Sequence, residues 1–142
     1  MSAILKYYEM VENVIRNLGV DPVACREQTA GQWSLVKGSA SVWIDVFEPK
    51  NDSGFIGYLQ IMAPICQIPA HNAEAFYTEI LETNHNLYGV GFTKFNEWIY
   101  IKGIREVDGI DEAEITSMFN RVGNYGDQYD DHFKGKYFPG QA

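Results

Sequence analysis

The sequence predicts an α+β fold in the order α-β-β-β-α-β-β-α. Three observations predict it. Apolar residues recur at helical spacing in three stretches, alternate along strand-like runs between them, and the neighbouring runs are joined by turns too short to hold a crossover helix. Hairpin-connected strands with helices set apart from them give α+β rather than a doubly wound α/β fold.

The first helix is read from Ile4, Tyr8, Val11, Ile15 and Leu18, one stripe of an amphipathic helix broadened by Leu5 and Val14. Gly19 is its natural C-cap, and Asp21-Pro22 bars continuation. Residues 23–32 carry no clear period. A short strand follows at 32–37, with Lys37-Gly38-Ser39 as a turn. The run 41–47 alternates, with Val42, Ile44 and Val46 on one face and Trp43, Asp45 and Phe47 on the other. Pro49 through Gly54 is a turn cluster. Residues 55–63 read as the third strand, with Pro64 near its end, where a missing donor costs least.

The second helix follows Pro69. Ala73, Phe76, Tyr77, Ile80 and Leu81 form its stripe, and His71 or Asn72 caps it. Strands at 88–95 and 98–104 follow, joined by the short Asn96-Glu97 loop. The last helix opens at Asp111 with Glu114 three residues on, the pattern of a capping box. Its stripe is Ile115, Met118, Phe119, Val122, Tyr129 and Phe133. Gly123 and Gly126 interrupt it and predict a kink or fraying, since each costs about 1 kcal/mol against alanine in a helix interior.

A chain of 142 residues suits a single domain over 1–142. At that length about 70% of the unfolded surface can be buried, so neither disulfide nor metal is required. With 46% hydrophobic and 21% charged residues the chain falls outside the disordered class. Nineteen acids against eleven bases give a net charge of −8, which disfavours nucleic acid and favours basic partners. Cys25 and Cys66 read as buried thiols of a reducing compartment. No secretory signal is visible, and nowhere are there the ~20 apolar residues of a membrane span. The expectation is a cytoplasmic protein without membrane or nucleic-acid partners.

The two strand faces differ. Val42, Ile44, Val46, Ile99 and Ile101 form an aliphatic face suited to helix packing. Trp43, Phe47, Trp98 and Tyr100, with Asp45 and Lys102, form the other, to which Tyr58, Gln60 and Met62 of the third strand add. Amphipathic aromatics beside a few charges are favoured in interfaces. Either another helix of the chain or a partner must cover them. Trp43, Phe47, Tyr58, Trp98 and Tyr100 are the candidate partner-binding residues.

Reactive clusters are weak by comparison. His71, His85 and His132 lack metal-ligand spacing, and Asp127, Asp130 and Asp131 on a terminal helix read as a solvated face. No local pattern pairs Cys25 or Cys66 with a histidine, and Ser34, Ser39 and Ser41 lack a nucleophile elbow. Gly89-Val90-Gly91 lacks the third glycine and following helix of a nucleotide fingerprint. No catalytic, cofactor or metal residue is assigned.

The order of elements, together with Leu87-Tyr88-Gly89-Val90-Gly91-Phe92 followed by Trp98-Ile99-Tyr100-Ile101, resembles the YbjN-like proteins, whose fold is that of the type III secretion chaperones (the CesT-like, Tir-chaperone group). The resemblance covers nearly the whole chain. It implies a five-stranded antiparallel sheet with helices packed on it, often as a homodimer, that binds an extended polypeptide without cofactor. The functional expectation is a non-enzymatic protein- or peptide-binding module, chaperone-like or regulatory. The alternative is a small-molecule pocket, sensory or enzymatic, between sheet and last helix, lined by Trp98, Tyr125, Tyr129 and His132. A structural subunit of a larger assembly is not separable from the first reading by sequence.

Overall fold

The computed structural model describes residues 3–49 and 57–140. Five strands form one antiparallel sheet: β1 (Gln32–Lys37), β2 (Ala40–Phe47), β3 (Tyr58–Gln67), β4 (Gly91–Phe95) and β5 (Trp98–Glu106). Their order across the sheet is β1-β2-β3-β5-β4. Four helices accompany them: α1 (Leu5–Asn17), α2 (Pro22–Cys25), α3 (Ala73–Asn84) and α4 (Glu112–Tyr137). This is the expected α+β order with one short helix added. The remainder of the expected 49–54 turn, and Phe55, fall outside the described residues.

The stretch without a clear period contains that extra helix. Asp21 caps it by accepting from Val23 N at 3.0 Å, and Pro22 occupies the first turn, where a missing N–H costs nothing. Arg26 then bridges to Trp33, so the chain briefly pairs with the outer edge of β1. Glu12 on α1 ties the region together. It accepts from Trp33 Nε1 at 2.9 Å and from Arg26 at 2.6 and 2.8 Å.

α4 lies across β1, β2, β3 and β5, and α1 packs beside it. Between them and the sheet, Val42, Ile44, Val46, Ile61, Ile99 and Ile101 are all buried, as the aliphatic strand face requires. No charged side chain is buried among the described residues. The capping box of α4 forms in full: Glu114 N donates to Asp111 Oδ1 at 2.7 Å, and Asp111 N donates to Glu114 Oε1 at 3.0 Å.

Several expectations need correction. α4 runs as one helix through Gly123 and Gly126. Both glycines are buried against the sheet, where a Cβ on Gly126 would stand 3.2 Å from the Cβ of Ala63 and 3.3 Å from that of Ala40. Close approach of helix to sheet explains the glycines. β3 does not end near Pro64 but continues to Gln67 through a bulge between Pro64 and Cys66. Pairing with β2 stops at Met62, so the proline lacks its N–H where no ladder from β2 continues. β4 begins at Gly91, not at 88, because Gly89 adopts a left-handed φ of 71° and turns the chain after α3. Asn72 holds the cap position of α3 in a left-handed conformation, but its side chain makes no capping bond.

Candidate functional site

The sheet presents its second face to solvent. Register places its side chains in rows. Phe47 is opposite Tyr58, which is opposite Glu106; Gln32, Asp45, Gln60 and Ile104 form the next row; Ser34, Trp43, Met62 and Lys102 the next. Further along, Tyr100 lies between Pro64 and Thr93, and Trp98 between Gln67 and Phe95. Successive rows are roughly 7 Å apart, because side chains on one face recur every second residue. All five candidate residues therefore share this face. Trp43 and Tyr100 meet at 5.9 Å between ring centroids, and Phe47 stacks on Tyr58 at 5.9 Å. Trp98 stands apart, toward the β4 edge beside Phe95.

None of the four helices packs on this face among the described residues. Trp43 remains 38% exposed, Trp98 36%, Ile104 48% and Phe95 63%. Fully burying one such side chain is worth roughly 1.5–3 kcal/mol. Much of that stabilisation is left unclaimed in the isolated chain. Val36 and Phe95, at the two sheet edges, were not singled out as candidates although both extend the apolar surface. Strand alternation was the signal that could have included them.

Polar groups sit among the rings. The carboxyl of Asp45 is pushed above the usual carboxylate range by burial, an effect that hydrogen bonding from Gln32 only partly opposes. Gln60 Nε2 donates to the weak acceptor Met62 Sδ at 3.4 Å. Lys102 lies two strands from Asp45, roughly 10 Å across the sheet.

A second apolar surface lies on α3. Phe76 and Ile80 face inward, Phe76 packing edge-on against Phe133 at 5.5 Å and Tyr137 at 5.0 Å. Tyr77 and Leu81, expected in the same stripe, are exposed, as is Tyr88 beyond the helix. One polar clasp joins α3 to the end of α4. Glu79 accepts from Lys136 Nζ at 2.9 Å and Tyr137 OH at 2.8 Å, and pairs with His132 Nε2 at 2.6 Å. Burial alone would raise the Glu79 carboxyl; these three partners outweigh it and hold it at about 2.

Of the residues of the alternative small-molecule pocket, Tyr125, Tyr129 and His132 adjoin one another along α4, with successive ring centroids 6.0 and 6.3 Å apart, but Trp98 does not join them. Trp98 is on the open face, whereas Tyr129 packs on Phe92 and Phe133 on the helix side. His132 is engaged by Glu79. The acids of α4 are likewise separated by function. Asp127 accepts from the backbone N of Ser39 at 3.1 Å and from its hydroxyl, which fastens the β1–β2 turn and lowers its carboxyl. Asp130 Oδ1 lies 2.6 Å from Lys134 Nζ, an ion-pair distance although its angle is too poor for a hydrogen bond. Among the described residues no three His, Cys, Asp or Glu side chains are grouped to hold a metal ion. Nor is any helix long and apolar enough to cross a membrane.

No family model matches the chain, and no curated protein sequence does. Solved structures do. A chain of the HopA1–SchA chaperone–effector complex superposes with a TM-score of 0.67 at 8% identity, covering 91% of this chain and 96% of that one. A chain of the ExsC–ExsE complex gives 0.67 at 9% identity, covering 92% and 96%. The Yersinia pestis type III secretion chaperone SycH, solved with a fragment of YscM2, gives 0.59 at 11% identity, covering 87% and 98%. The fold is that of the type III secretion chaperones. At these identities the likeness establishes architecture, and neither a family model nor a curated sequence shows the finer resemblance to YbjN-like proteins.

Proposed function

We propose that this protein is a polypeptide-binding module of the chaperone-like kind, which holds a partner protein on its open sheet face and performs no chemistry of its own. The observation that carries this reading is the uncovered aromatic face: Trp43, Phe47, Tyr58, Trp98 and Tyr100 stand on one surface that none of the described helices shields. The chaperone–effector complexes that share its fold support the same reading, as does an acidic balance suited to basic partners. YbjN-like identity within this fold rests on the passages 87–92 and 98–101.

The proposed assembly is a homodimer, with the exposed Tyr77 and Leu81 of α3, one helical turn apart, as the surface for a second copy. A cytoplasmic site of action fits two free, buried cysteines, of which Cys66 is pushed up to about 12 by burial and so stays a protonated, unreactive thiol. Two measurements test the proposal. Light scattering on wild type and Leu81→Glu should show a dimer reduced to a monomer. Trp43→Ala and Trp98→Ala should retain the fold and the dimer but lose binding of the native partner. Undiminished partner binding by both tryptophan variants contradicts the proposal.

A further inference from the structure

At the β1 edge of the open face, the surface deepens into a groove of about 460 Å3. Trp43 and Met62 supply its apolar lining, and Asp45, Glu27 and Gln60 its polar lining. Two carboxylates border the groove, and among the described residues no basic side chain does. The neighbouring base, Arg26, is held by Glu12 at 2.6 and 2.8 Å. Lys102 is two strands away. No ion pair among the described residues reaches Asp45, although its carboxyl is partly withdrawn from water. Such a carboxylate has given up solvation without gaining a counter-ion, and a cation brought by a ligand restores the balance.

We propose that this groove receives one arginine side chain of the polypeptide held on the sheet, its guanidinium lying over the Trp43 ring and hydrogen-bonded to Asp45. The assignment rests on the polypeptide-binding reading above and adds a sequence preference to it. Charge complementarity selects a cation, and an aromatic face beside a carboxylate selects arginine over lysine. The guanidinium is planar, stacks on indole, is weakly hydrated and presents a fork of donors to a carboxylate. Glu27 adds a second negative charge at the mouth. Because the rows on either side of the groove carry the rings of Phe47 and Tyr58 and of Tyr100, the residues flanking that arginine at alternate positions are apolar.

Fluorescein-labelled peptides of eleven residues, alternating leucine and serine with arginine or citrulline at the centre, test this by fluorescence anisotropy. Citrulline keeps the shape and removes the charge. Wild type should bind the arginine peptide about tenfold more tightly than the citrulline peptide. Asp45→Asn should bring that ratio to within about twofold of unity by weakening the arginine peptide far more than the citrulline peptide. Glu27→Gln, at an exposed position where folding is not at stake, should also lower the ratio. Equal binding of both peptides by wild type, or a preference that survives Asp45→Asn, overturns the arginine site. Trp98→Ala, outside the groove, separates the two readings. If it weakens both peptides and no arginine preference exists, the sheet face binds polypeptide and only the arginine site falls. If neither peptide binds, or neither responds to Trp98→Ala or Asp45→Asn, both readings fall.

Discussion

The two faces of the sheet are made by the same strands and have opposite fates. Ile44 is 1% exposed, while its neighbour Trp43 is 38% exposed. Toward α4 the side chains are aliphatic and close-packed, with glycines where helix and sheet approach most tightly. On the other face they are aromatic, half-exposed and mixed with Asp45, Gln60 and Lys102. The first face therefore determines stability, and the second is left open by the described helices.

Mutations can break this contrast, beginning with the largest expected effect. Phe133, fully buried among Phe76, Phe92 and Tyr129, should cost about 3–5 kcal/mol on replacement by alanine, read from denaturant unfolding. Ile44→Ala should cost about 2–5 kcal/mol, whereas Trp43→Ala one residue away should cost less than about 1.5 kcal/mol. Equal losses at these adjacent positions would remove the distinction between the faces. Gly126→Val should destabilise by about 1–3 kcal/mol, because the Cβ atoms of Ala63 and Ala40 leave no room for a branched side chain.

A smaller effect should come from the clasp between α3 and α4. The folded-state carboxyl of Glu79, at about 2, lies below its unfolded value of 4.5. Its contribution is therefore fully present above about pH 4.5 and is lost as pH falls toward 2. After allowance for solvent screening, Glu79→Gln should cost about 1–2 kcal/mol at pH 7 and flatten the stability profile between those limits. Urea titrations across that pH range check both parts.

Most of the architecture was legible because periodicity reports which side of an element meets the core. Ile4, Val11, Val14 and Ile15 of the α1 stripe, the β2 alternation and the Asp111–Glu114 box each carry their signal in nearby residues. Leu5 and Leu18, expected in that stripe, are nonetheless exposed at the ends of the helix, and Tyr7 rather than Tyr8 is fully buried. What was missed depends on contacts distant in sequence. Gly123 and Gly126 look like helix breakers until Lys37, Ala40 and Ala63 are seen against them. Pro64 looks like a strand end until the limit of β2 pairing is known. Tyr77 and Leu81 look like core because helical spacing cannot tell how much of α3 the sheet covers. The candidate residues were legible as one face from alternation alone. That the face is open was not, since it depends on where four helices finally pack.

The three tryptophans provide the most direct test of the central claim, that the open face is the surface which contacts a polypeptide. Trp33 is 3% exposed and serves as an internal standard beside Trp43 and Trp98. Hydroxyl-radical footprinting with mass spectrometry, on the free protein and on its complex with the native partner, follows each ring separately. The account predicts rapid oxidation of Trp43 and Trp98 in the free protein, their protection in the complex, and a slow, unchanged Trp33. Unaltered oxidation of Trp43 and Trp98 in a complex that protects some other surface would contradict it.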